Sequence, residues 1–202
     1  TGVGLRLASG LIEFAGGMLL PAMFFTMITA IVLGMGVPTT ANYVITSTIA
    51  APALVQLGVP VLAAHMFVFY FGIIADVTPP VALAAYAGAG ISGGNPLRTG
   101  VHASKLAVAA FIIPYIFVLS PVILMVDATP LSLILATLSA LCGMVAVSAA
   151  LCGFLAADCK AYERIILIIA GLLMIKPGGT TDLIGFALFA VVIAMQRMRQ
   201  KA

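Results

Sequence analysis

Charge is scarce in this sequence. Nine lysines and arginines and six aspartates and glutamates are all that 202 residues carry, 7% of the chain, whereas 63% is hydrophobic. A soluble domain holds about 25% charged residues, so this chain has no means of covering itself with a water-facing surface. That excludes a soluble globular domain and leaves a polytopic, multi-pass membrane protein with the lipid bilayer as its solvent. The net charge of +3 comes mostly from short basic clusters between apolar runs, a pattern that membrane orientation explains and nucleic-acid binding does not. Cysteine is also rare: Cys142, Cys152 and Cys159 show no C-x-x-C or Cys/His spacing. They read as small apolar fillers rather than metal ligands, and no cofactor is expected. Neither an initiator Met nor a signal peptide precedes Thr1-Gly2-Val3-Gly4, and we expect the C-terminal part of a longer protein.

What is present is organised around Gly34-Met35-Gly36-Val37-Pro38-Thr39-Thr40-Ala41-Asn42-Tyr43. Two glycines lift the Cβ restraint and Pro38 has no amide hydrogen, so a continuous helix is not expected across this stretch. Residues 18–33 and 40–55 then read as two half-helices, closed by a turn at 56–60. A half-helix of about 14–16 residues reaches about 21–24 Å, short of the ~30 Å hydrocarbon core. The segment 18–56 is therefore expected to be a re-entrant hairpin, the alternative being two ordinary spans with a kink at Pro38. In lipid, such a break is tolerated only where protein buries it or where it lines a wet cavity.

A second break follows. Apolar residues 61–75 lead into Asp76-Val77-Thr78-Pro79-Pro80, and 81–92 continue beyond it. Thr78 is expected to cap the second helix, with Pro79 or Pro80 in its first turn. The first half again extends about 22 Å from the face that holds 56–60, so the two breaks should reach similar depth. The remainder reads as an interfacial connector helix at 1–17 with Arg6 and Glu13 at headgroup level, a cytoplasmic connection and span at 93–126, and further helices with a basic tail at 131–202. The run 165–175 is short for an untilted crossing. If it does cross, basic clusters at 93–105, 158–164 and 197–201 share one side, which places the C-terminus in the cytoplasm and leaves Lys176 as the dissenting charge.

Half-helix ends carry about half an elementary charge, positive at N-termini. The starts near Thr39, Thr40, Thr78 and Pro79 would attract a carboxylate. Carbonyls released near 33–36 and 74–76, with Thr hydroxyls and Asn42, would suit Na⁺. Paired discontinuous helices of this kind point to a secondary-transporter site. Asp76 is the sharpest single residue, because an ionisable group at that depth is costly unless hydrated, paired or protonated. Its two readings are cation or proton coupling and the capping of amides at Val77–Thr78. His65, among Met66, Phe67, Phe69 and Tyr70, reads as a packed, hydrogen-bonded histidine. Thr46, Ser47 and Thr48 read as hydroxyls bonded back to their own helix.

The stretch from Gly34 to Tyr43, together with Ala64-His65-Met66-Phe67-Val68-Phe69-Tyr70-Phe71 and Thr78-Pro79-Pro80-Val81-Ala82, resembles the large membrane subunit of TRAP (tripartite ATP-independent periplasmic) transporters, and within it the TAXI branch, over about residues 1–126. The resemblance implies an all-α integral membrane protein of the elevator-type ion transporter superfamily fold, with a re-entrant helical hairpin at 18–56 and a discontinuous transmembrane helix at 61–92, the second inverted repeat only. It implies uptake of a small organic anion at the cytoplasmic (inner) membrane of a bacterium or archaeon. A Na⁺ or H⁺ gradient would drive it, with a periplasmic substrate-binding protein and a small membrane subunit as partners. Gly34, Gly36, Pro38, Thr39 and Thr40 would form the hairpin tip and Thr78, Pro79 and Pro80 the opposing break, with Na⁺ at Gly34, Gly36, Thr39 and Thr78. Asp76 stands where the resemblance leads one to expect a small apolar residue. A binding-protein-independent symporter of the same superfamily is the nearest rival. An intramembrane aspartyl protease, suggested by Pro52-Ala53-Leu54, lacks Gly-x-Gly-Asp and a partner for Asp76.

Overall fold

The computed structural model describes residues 3–175 and 178–201. Thr1-Gly2 at the start, and Lys176-Pro177, where the sequence places a turn and a dissenting charge, lie outside the described residues. Regular structure among the described residues is helical, apart from a single bridge between Phe154 and Asp158. The chain divides into two compact units, Thr1–Val118 and Leu119–Ala202.

The first unit contains α1 (Val3–Phe14), α2 (Leu19–Gly34), α3 (Thr39–Ile49), α4 (Ala51–Gln56), α5 (Val61–Ile74), a 3-10 turn (Ala75–Val77), α6 (Leu83–Ser92), α7 (Pro96–Leu106) and α8 (Val108–Leu119). Helix α5 is apolar all round and is the centre of the unit: Ala63, Ala64, Phe67, Val68 and Phe71 are fully buried. Phe67 and Phe71 meet edge to face with centroids 4.8 Å apart, and Tyr115 of α8 lies 5.4 Å and 5.9 Å from their rings. Such pairs add about 0.5–1.5 kcal/mol beyond the area they bury. Helices α2 and α3 pack on α5, and α2 buries Ala22 and Ala30 fully.

The second unit contains a 3-10 turn (Pro121–Leu124), α9 (Pro130–Cys152), α10 (Ala161–Ile175) and α11 (Gly179–Lys201). Its core is Ala146, Ala149 and Ala150 of α9 against Leu167 of α10 and Val192 of α11. Helix α9 starts sharply because Thr129 and Ser132 form a reciprocal capping box and Pro130 occupies the first helical position, where its missing N–H costs nothing.

Among the described residues, three stretches are long and apolar enough to cross a membrane: Pro96–Leu119, Pro130–Cys152 and Gly179–Gln200. Shorter apolar helices cover Leu19–Gly34, Val61–Val77 and Leu83–Ser92. The 16 residues of α2 extend about 24 Å.

Two elements differ from the sequence expectation. The polar connection that carries Arg98, His102 and Lys105 is itself helical. They lie on α7, which starts because the Asn95 side chain accepts from the Arg98 N–H at 3.1 Å and Pro96 follows it. The apolar helix after it ends at Leu119, where Ser120-Pro121 begins a 3-10 turn, rather than running to Val126.

Candidate functional site

The first break is local chemistry. Helix α2 ends at Gly34, Met35 is extended, and Gly36 takes φ 73°, a backbone region that side chains with a Cβ rarely enter. Pro38 then serves as the N-cap residue of α3, its carbonyl accepting from Asn42 N at 2.9 Å. The second break follows α5. After the 3-10 turn, Thr78 is extended, the Pro79–Pro80 peptide is cis, and Ala82 has φ 38° immediately before α6.

The two breaks come together at Gly34. A Cβ placed there would lie 2.7 Å from Asn42 Nδ2, 2.8 Å from the Gly72 carbonyl oxygen and 3.2 Å from the Ala75 Cβ. A Cβ on Gly72 would run into the Asn42 amide from the other side. The Asn42 side chain thus fills the space between two glycines, one on α2 and one on α5, and is only 2% exposed. Its Oδ1 accepts no hydrogen bond from any described residue. An acceptor buried without a partner costs about 1–3 kcal/mol, so this oxygen is the chemically unfinished atom of the junction.

Beside the first break lies a cleft of about 320 Å³, lined by its Gly36, Val37 and Pro38, by Asp76, and by Leu83 and Ala84 at the start of α6. The Asp76 carboxylate is half-buried and has no hydrogen-bond or ion-pair partner among the described residues. Among the described residues, no basic side chain lines this cleft. The N-cap of α3, Pro38, and the first turn of α6 border it, and the first N–H groups of a helix have no partner within the helix.

The expected residues therefore separate into groups. Gly34, Gly36, Pro38, Asn42 and Asp76 lie at the junction and its cleft. Thr39 and Thr40 are exposed in the first turn of α3 and do not line it. Thr78 and Pro79 line a different cavity, with Ser104, Lys105 and Phe111. Thr78 does not cap α6: its hydroxyl turns back to the Ile74 carbonyl at 2.7 Å, and α6 starts only at Leu83. Pro80 is exposed, and its carbonyl accepts from the Tyr86 hydroxyl at 2.8 Å.

Three contributors escape the sequence reading. Gly72 is half of the Asn42 clamp, and a lone glycine between Phe71 and Ile73 in an apolar helix is the signal that could have exposed it. Ser104 ties α7 to the second break by donating to the Val77 carbonyl at 3.1 Å. Gly100 lets α7 approach, since a Cβ there would stand 3.2 Å from Pro79 Cγ. His65 is hydrogen-bonded through Nδ1 to the Tyr43 hydroxyl at 3.0 Å, and Thr46, Ser47 and Thr48 donate back to carbonyls of α3.

The second unit buries polar groups of another kind. Glu163 is 1% exposed and Gln196 fully buried. The Glu163 carboxylate accepts from Lys160 N at 2.9 Å, Gln196 Nε2 at 3.0 Å and Arg199 Nη1 at 3.1 Å. Gln196 Oε1 in turn accepts from the backbone of Ala156 and Ala157. Burial works to raise the Glu163 pKa. The hydrogen bonds from Gln196 and Lys160, and the charges of Arg199 and Lys160, outweigh it and hold the carboxyl below the usual carboxylate range.

Among the described residues, no group of three or more His, Cys, Asp or Glu side chains could hold a metal ion. One protein-family model, Tripartite ATP-independent periplasmic transporter, DctM component, matches residues 1–132. No curated protein and no solved structure matches the chain.

Proposed function

Because the chain belongs to the DctM-component family of tripartite ATP-independent periplasmic transporters, we propose that it takes up a small organic anion, a carboxylate, by secondary transport through the junction of its two broken helices. In this reading α2–α3 is a re-entrant hairpin, α5–α6 a discontinuous transmembrane helix, and the two form part of a moving, elevator-type transport domain. The protein sits in a bacterial or archaeal cytoplasmic membrane with its C-terminus inside. It belongs to the TAXI branch, and a periplasmic binding protein delivers the substrate.

The observation that carries the reading is the cleft itself. Two helix starts that attract a carboxylate border it beside an unpartnered aspartate, and one turn along α3 from Pro38 stands the unsatisfied Asn42 oxygen. That oxygen supplies the hard ligand that Na⁺ would take. The coupling ion is Na⁺ at this oxygen or H⁺ at Asp76.

Uptake of labelled mono- and dicarboxylates into proteoliposomes tests this, using the full transporter with its small membrane subunit and binding protein. Uptake should require the binding protein and an inward Na⁺ or proton gradient. Undiminished uptake without the binding protein would assign the chain to the binding-protein-independent symporters instead.

A further inference from the structure

A cavity of about 430 Å³ opens in the first unit, away from the cleft, between α1, the second half of α2 and the end of α3. Arg6, Gly10 and Phe14 face it from α1 at helical spacing, and Leu33 and Ile49 close it from the other side. Its walls are apolar. The Thr29 hydroxyl, also on the wall, is donated to the Phe25 carbonyl at 2.9 Å. Among the described residues, Arg6 is the one charged group on the lining. It is exposed and has no hydrogen-bond or ion-pair partner among the described residues. Glu13 is exposed and does not line the cavity. At the far end Phe14 is 85% exposed, and from Arg6 to Phe14 the helix rises about 12 Å.

We propose that this slot binds an anionic phospholipid, one acyl chain lying along α1 and the phosphate on Arg6. A membrane-embedded apolar slot open at one side is filled by hydrocarbon, and the guanidinium fork matches a phosphate in charge and geometry. A purely apolar helix in the same place would leave Arg6 without a counter-charge. Charge complementarity therefore selects the lipid over such a protein segment. Gly10 keeps the slot open: a Cβ there would meet nothing within 4 Å, so a larger side chain would project into the space the acyl chain needs.

The test is phospholipid binding to the full, delipidated permease by native mass spectrometry and by lipid-titrated melting. The probes are dioleoylphosphatidylglycerol, dioleoylphosphatidylcholine and inorganic phosphate. The wild type should bind the phosphatidylglycerol at least tenfold tighter than the phosphatidylcholine and show no response to inorganic phosphate. Arg6→Gln should erase the preference, and Gly10→Leu should abolish binding of both lipids. Arg98→Gln, the same charge change outside the cavity, should alter neither. Equal affinities in the wild type, or equal losses in Arg6→Gln and Arg98→Gln, overturn the proposal. So does a response to inorganic phosphate that matches the response to lipid. A slot filled by another part of the permease would show as no lipid binding in the wild type together with destabilisation by Gly10→Leu, which also overturns it.

Discussion

In the second unit Ser139, Glu163 and Gln196 are all buried and all hydrogen-bonded: Ser139 donates to the Met174 carbonyl and to Asp182, and Glu163 and Gln196 join Arg199 in one network. In the first unit the Oδ1 of Asn42 and the Oγ1 of Thr26 are buried with no partner among the described residues, and the Asp76 carboxylate faces a cleft without one either. The helices differ in the same sense. Helices α9 and α11 run 23 residues each without interruption, while α2–α3 and α5–α6 are broken. A buried polar group with its partners in place fixes a structure. One without a partner costs stability that a ligand can restore. The proposed transport site lies with the unpartnered groups of the first unit.

The largest effect is expected where the first unit is tightest. Gly72→Val would drive a side chain into the Asn42 amide, costing about 3 kcal/mol by overpacking and eliminating uptake. The melting temperature and uptake of the folded fraction measure both. Next comes Glu163→Ala, which leaves the Lys160 N–H and the Gln196 amide without their acceptor and should cost about 2–3 kcal/mol, while uptake per folded molecule stays unchanged. Because the folded Glu163 pKa is depressed, its contribution is complete above the unfolded carboxyl value of about 4.3. It is lost as pH falls through the lower, folded value, so acid melting of the wild type and Glu163→Gln should converge there. Asp76→Asn should do the reverse of Glu163→Ala: uptake falls about tenfold, equivalent to about 1.4 kcal/mol, with little change in melting temperature. The smallest effect is expected from Thr26→Val. Removing an unpartnered hydroxyl in the core of α2 should be neutral or raise stability by up to about 1 kcal/mol, with uptake unchanged.

Much of this contrast was legible in the chain. The membrane setting follows from the scarcity of charge, and the first break from two glycines and a proline within Gly34–Pro38, where local backbone rules suffice. The second break was legible in place but not in detail. Whether the Thr78 hydroxyl caps forward or bonds back depends on backbone angles that Thr-Pro-Pro alone does not dictate, and it bonds back to Ile74. Groupings made by distant residues were not legible. Glu163 meets Gln196 and Arg199 from 33 and 36 positions away, a grouping that no local pattern at 158–164 announces. Gly34 and Gly72 become a pair only once α2 and α5 pack around Asn42.

The most direct measurement is the melting temperature of the full-length purified protein, titrated with NaCl against KCl at constant ionic strength, for wild type, Asn42→Leu and Glu163→Gln. A ligand that binds only the folded state adds about 1.4 kcal/mol at ten times its Kd. The account predicts a Na⁺-specific rise in the wild type and in Glu163→Gln, lost in Asn42→Leu although that variant folds. A Na⁺-specific rise that survives in Asn42→Leu, or no such rise in the wild type, would contradict the assignment of Na⁺ to the Asn42 oxygen.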